Sequence, residues 1–110
     1  MGEKGDLIIN LSTMAAEEFQ DKVGGLGPIR IKKMFGGYGV FEDDTMFALV
    51  DKNGIIFLKA YDSNRQLFED AGSIKHGRMP YFKVPENILN NNEILLDWAR
   101  SAISAAKKAK

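Results

Sequence analysis

A chain of 110 residues with 45% hydrophobic and 27% charged positions predicts one folded domain and excludes a disordered or low-complexity polymer. The 15 basic and 15 acidic residues cancel to zero formal charge, which argues against nucleic-acid binding over a whole surface and leaves room for a local basic patch. Cysteine is absent, which excludes disulfide and thiolate chemistry and suits the cytoplasm, and no apolar run is long enough to span a bilayer.

The expected organisation is a single domain over 1–110, with an N-terminal arm at 1–11 and a globular part at 12–110. Leu7 to Leu11, broken by Asn10, is too short an apolar stretch for a secretory signal. Ser12 or Thr13 can cap a helix with Glu17 and Glu18 in its first turns and an apolar stripe of Ala15, Phe19 and Val23. Gly24, Gly25, Gly27 and Pro28 end it. From Ile29 the period drops to two, with Ile29 and Ile31 alternating with Arg30 and Lys32, as in a strand with one wet face. Gly36 and Gly37 should then reverse or bulge the chain, one or the other in a backbone conformation that a β-carbon penalises. Gly39, inside the next strand, marks a bend or a place where something packs directly onto the sheet.

Glu42, Asp43 and Asp44 read as a hairpin tip, and Asp51-Lys52-Asn53-Gly54 is the best turn signal in the chain. Strands are expected over 29–35, 38–41, 45–50, 55–59 and 81–84, the last bracketed by Pro80 and Pro85 and therefore at an edge or unpaired on one side near its start. Between the last two, Ser63 and Gln66 have capping-box spacing, with Leu67 and Phe68 on the buried side and Gly72 as the stop. Asn90 to Asn92 cap a final helix whose stripe is Leu95, Trp98, Ala99, Ala102 and Ala106, with Lys107, Lys108 and Lys110 complementing its dipole. The fold class is α+β: two layers, a twisted antiparallel sheet of about five strands with helices on one face.

Candidate chemistry is sparse. Gly37-Tyr38-Gly39 lacks the following helix and the Lys-Ser/Thr pair of a phosphate loop. Arg30, Lys32, Lys33, Lys75, His76 and Arg78 can form one basic patch if the loop before Pro80 folds back beside the first strand; otherwise they solvate an edge. Tyr38, Phe41, Phe47, Phe57, Tyr81 and Phe82 resemble a base-stacking platform, although aromatics at strand spacing usually lie under helices. His76, the single histidine, has no ligand set around it; Asp43 and Asp44 sit where nothing perturbs them; no serine has a triad to join. No catalytic, metal or cofactor-binding residue is expected.

The run Arg30, then Lys33-Met34-Phe35-Gly36-Gly37-Tyr38-Gly39, resembles the signature of the TfoX N-terminal domain family. Met46 to Val50, Phe57 to Lys59, Phe68 to Gly72, Met79 to Tyr81 with Val84-Pro85, and Leu96 to Ala99 follow in the family's order. The resemblance implies an architecture similar to type III secretion chaperones, with the family's second, C-terminal domain absent. It also implies a bacterial regulator of competence genes, a transcriptional co-activator acting with the cyclic-AMP receptor protein. Together these readings give a non-enzymatic regulatory and protein-interaction module, with a direct nucleic-acid-binding domain and a small-ligand protein or enzyme as alternatives. The expected interaction surface is Arg30, Lys32, Lys33, Tyr38 and Arg78 beside the structural glycines Gly36, Gly37 and Gly39. Homodimerisation is expected from the edge near Pro80, the Leu7 to Leu11 segment and the chaperone-like architecture.

Overall fold

The switch from helical to two-residue periodicity at Ile29 is where the sheet begins. The structure, a computed structural model, describes residues 3–34 and 36–109, and side chains from residue 11 onward. Five strands, β1 (Ile29–Met34), β2 (Gly37–Glu42), β3 (Thr45–Val50), β4 (Ile56–Lys59) and β5 (Tyr81–Lys83), form one sheet in the order of the sequence. Every neighbouring pair is antiparallel. The expected edge position of β5 holds, and its outer side is partly covered, since the Lys83 N–H donates to the Ile74 carbonyl at 2.8 Å. Phe35, expected to end β1, and Lys110, expected near the final helix dipole, lie outside the described residues.

Register separates the two faces. Ile29, Ile31 and Lys33 stand opposite Glu42, Val40 and Tyr38, whereas Arg30, Lys32 and Met34 stand opposite Phe41, Gly39 and Gly37. Between β2 and β3 the register shifts at Val40/Phe41, so that Phe41 pairs with Met46 and Val40 with Ala48. Phe47 is the extra residue of this bulge. It joins Ala48 and Val50 in the core and leaves Met46 and Leu49, three residues apart, on the opposite face.

All the helices pack on the first of these faces. α1 (Glu3–Val23) and α4 (Asn92–Lys108) contact each other and lie across β1 to β4, while the short α2 (Arg65–Asp70) and α3 (Glu86–Leu89) close the end near β5. The core runs through Phe19, Val23, Phe47, Leu58, Phe68, Phe82, Leu95 and Trp98. Trp98 meets Phe68 edge-on with ring centroids 4.9 Å apart, an arrangement the aromatic quadrupoles favour.

Several local expectations differ from the structure. Ser12 and Thr13 do not cap α1, which is already helical from Glu3, so the backbone of Leu7 to Leu11 forms part of a helix. The spacing of Leu7, Leu11, Ala15, Phe19 and Val23, four residues each, carries the helical period straight through the supposed cap. The Ser63 capping box does not form. Asn64 takes the N-cap position, and its side chain turns back to accept from the Tyr61 N–H at 2.8 Å and to donate to the Lys59 carbonyl at 3.0 Å. Glu42 is not at the hairpin tip, which is Asp43-Asp44. It is the last residue of β2, 9% exposed, and its Oε1 lies 2.6 Å from Lys107 Nζ of α4. That approach lies off a hydrogen-bonding direction, so charge rather than a directed bond holds the pair.

Candidate functional site

Among the described residues no helix covers the second face of the sheet, and its chemistry follows from alternation along the strands. β1 places Arg30, Lys32 and Met34 there, β2 places Gly39 and Phe41, and β3 places Met46 and Leu49. Phe57 and Lys59 of β4 stand opposite Lys83 and Tyr81 of β5 on the same face. Apart from the tyrosine, every ionisable strand side chain on this face is a cation. Among the described residues the only strand carboxylate, Glu42, points into the other layer and is paired with Lys107. A chain with no net charge is therefore divided into a basic sheet face and a helical layer that carries most of the acids.

The loop over residues 73–80 is what covers part of this face. Its His76 ring stands edge-on to Phe57 with centroids 4.6 Å apart. Phe57 and Tyr81 are 7% and 3% exposed although neither belongs to the main core, so they form a small second cluster under this loop. The expectation that the strand aromatics pack under helices is corrected for them: Phe47 and Phe82 do, whereas Phe57 and Tyr81 are buried on the opposite face. Phe41 is half-buried there with the Arg30 guanidinium 4.8 Å above its ring. Burial drives the Tyr81 phenol well above the ordinary tyrosine pKa, with the Tyr61 phenol adding to the shift, so Tyr81 stays a neutral hydrogen-bond donor.

Between these groups lies a cavity of about 270 Å³, lined by Met34, Met46, Leu49, Met79, Tyr81 and His76, with Tyr38, Val50 and Asp51 completing the wall. Gly39 makes room for it. A β-carbon at that position would come within 3.0 Å of the Met34 Sδ and Cε and 3.1 Å of the Met46 Cε, so the two thioether ends meet over a bare backbone. A larger depression of about 410 Å³ opens beside β5, but its wall mixes Lys83 and Glu86 with apolar groups and concentrates neither charge nor hydrophobicity.

The structure divides the residues expected to form one interaction surface. Arg30 and Lys32 share the uncovered face. Lys33 points to the helical side, opposite Tyr38, whose hydroxyl lies 2.9 Å from Thr13 Oγ1 of α1. Arg78 sits in the loop before β5, and the order of strands puts β5 at the edge opposite β1. The glycines differ in what they do. Gly36 has φ +78°, a left-handed turn that side chains resist, and Gly37 brings the backbone against β3 so closely that a β-carbon would fall on the Val50 carbonyl oxygen. Sequence reasoning missed the methionines, because Met34, Met46 and Met79 lie far apart in the chain and only the bulge at Phe47 turns Met46 and Leu49 to the same side.

Against known proteins, a family model described as the TfoX N-terminal domain matches residues 21–106, a span that contains every residue of the uncovered face and its cavity. Protein Sxy of Escherichia coli (strain K12) is 28% identical over 109 residues, an alignment that takes in 92% of this chain and 52% of Sxy. The chain thus spans about half the length of the curated relative it matches.

Proposed function

The chain belongs to the TfoX N-terminal domain family, and from that membership we propose that it is a regulatory module that works without catalysis, by docking its uncovered sheet face on an acidic partner protein. One observation carries the reading: the strand charges on that face are all positive in a protein whose net charge is zero, with Asp44 of the hairpin tip 3.9 Å from the Arg30 guanidinium in an exposed and therefore weak ion pair. Charge of one sign around an apolar centre steers a partner of the opposite sign and selects against others. The finer setting is transcriptional regulation of competence genes in the bacterial cytoplasm, in the manner of a co-activator. Among the described residues no helix is long and apolar enough to cross a membrane. Pairing of two copies belongs to the same proposal, since Leu11 and Met14 expose apolar surface on α1 at 48% and 66%. Sedimentation that gives only monomer at high micromolar concentration removes that part.

The test of the docking face is a double charge reversal, Arg30→Glu with Lys32→Glu, beside Lys33→Glu as a control on the other face. In the source cell the double variant should lose the regulated transcripts while its melting temperature stays put, and Lys33→Glu should keep them. Equal loss in both sinks the assignment. Direct nucleic-acid binding is the second reading, favoured by Phe41 and Arg30 stacked on a basic sheet. It requires duplex or single-stranded affinity that falls steeply with salt, with a log-log slope of about −0.9 per phosphate on duplex DNA and about −0.7 on single strands.

A further inference from the structure

We infer that the cavity on the uncovered face receives one large apolar side chain, aromatic or long aliphatic, from an acidic segment of the partner protein. The inference rests on the docking reading and adds the anchor to it. Size is the first argument. About 270 Å³ falls below the roughly 300–1,000 Å³ of typical small-molecule pockets and suits a single side chain better than a cofactor.

The wall gives the second argument. Met34, Met46, Leu49 and Met79 present thioethers and a branched alkyl group, and unbranched thioether side chains repack around apolar guests of different shape. A nucleobase fits this wall poorly. Its donor and acceptor edge would find Tyr81, His76 and Asp51 in a wall otherwise of sulfur and carbon, too few polar groups to replace the water that the whole edge loses. A protein side chain such as phenylalanine or leucine brings no such groups.

Charge supplies the third. Lys32 lies on β1 at one edge of the sheet and Lys83 on β5 at the other, so a segment anchored in the cavity between them meets cations on both sides, and the Asp51 carboxylate in the wall is partly offset by the Asn53 and Ile55 N–H groups that donate to its Oδ1. The fitting ligand therefore has carboxylates before and after its apolar residue, an acidic and amphipathic stretch of chain.

The experiment uses the full chain carrying methyl-labelled methionine. Three probes are titrated in: a short peptide of aspartates and glycines with one central phenylalanine, the same peptide with alanine in its place, and an oligothymidylate. The phenylalanine peptide should bind about tenfold or more tighter than the alanine peptide. Its ring current should move the methyl signals of Met34, Met46 and Met79, while that of Met14, exposed on α1, stays still. Met46→Gln should erase the advantage of phenylalanine without changing the melting temperature, and Met79→Gln, at a position 41% exposed, serves if the first variant folds poorly. Equal binding of the two peptides with still methyl signals overturns the anchor and leaves docking by charge intact. Absence of binding by both peptides at millimolar concentration overturns the anchor and the docking reading together. Tighter binding of the oligothymidylate with the same methyl shifts replaces the side chain by a base and also overturns the inference.

Discussion

Gly37 and Gly39, two residues apart in one strand, are constrained in opposite ways. At Gly37 the obstacle to a side chain is the Val50 carbonyl, a backbone atom fixed by the β2–β3 ladder; at Gly39 it is the flexible ends of Met34 and Met46. Gly37→Ala should therefore cost about 1–3 kcal/mol, the range for forcing extra atoms into a packed site, while Gly39→Ala should cost less and disturb the methionine methyls instead. Denaturant unfolding of the pair measures the contrast, and equal losses would contradict it. Lys107→Met leaves Glu42 buried without its cation. The expected cost is about 1–2 kcal/mol, below the 3–5 kcal/mol of a wholly buried pair because the Lys107 side chain is half exposed. Tyr81 gives the pH dependence. Up to about pH 10, the ordinary tyrosine value, both folded and unfolded chains keep this proton. Above it the unfolded chain loses the proton and the folded chain does not, so stability falls with rising pH, by at most about 1.4 kcal/mol per pH unit. Tyr81→Phe should flatten this alkaline limb, and an unchanged limb would contradict the assignment.

Helices and strands were legible to different depths. The strands could be read because isoleucine alternates with arginine and lysine in β1 and because Asn53-Gly54 forces a turn, and each lies within a residue or so of its expected limits. The start of α1 could not be read from its caps, since a serine and a threonine inside a helix look the same in sequence as a serine and a threonine at its end. α3, four residues long after Pro85, is too short to show a period. The bulge in β3 was hidden for another reason: Met46 to Val50 is apolar on both faces, so its phase carries no information. α4, by contrast, shows both its cap and its stripe, and Asn91 Oδ1 accepts from the Ile94 N–H at 3.3 Å. Trp98 on that stripe is 8% exposed against Phe68, and Trp98→Ala should cost about 3–5 kcal/mol in a urea titration. A cost under about 1 kcal/mol would mean that α4 is not the keystone of the helical layer.

The architecture of the molecule followed from its pattern of elements, whereas the candidate site did not. Composition reported zero net charge, and only the folded arrangement shows that this zero is a sum of two unlike sides. Arg30 and Lys32 were expected together and are together; Lys33, next in sequence, was expected with them and faces the helices, as a pleated strand requires of neighbours. The two sides share one backbone but draw their apolar contacts from separate sets of residues, with Phe47, Leu58 and Phe82 in one and Met46, Leu49 and Phe57 in the other. Inheritance can act on them separately. A library that randomises Arg30, Lys32, Met46, Leu49 and Met79 while holding the helical side constant should contain many well-folded members that differ in what they bind. Duplicated copies of such a gene can drift to new partners without first relearning how to fold.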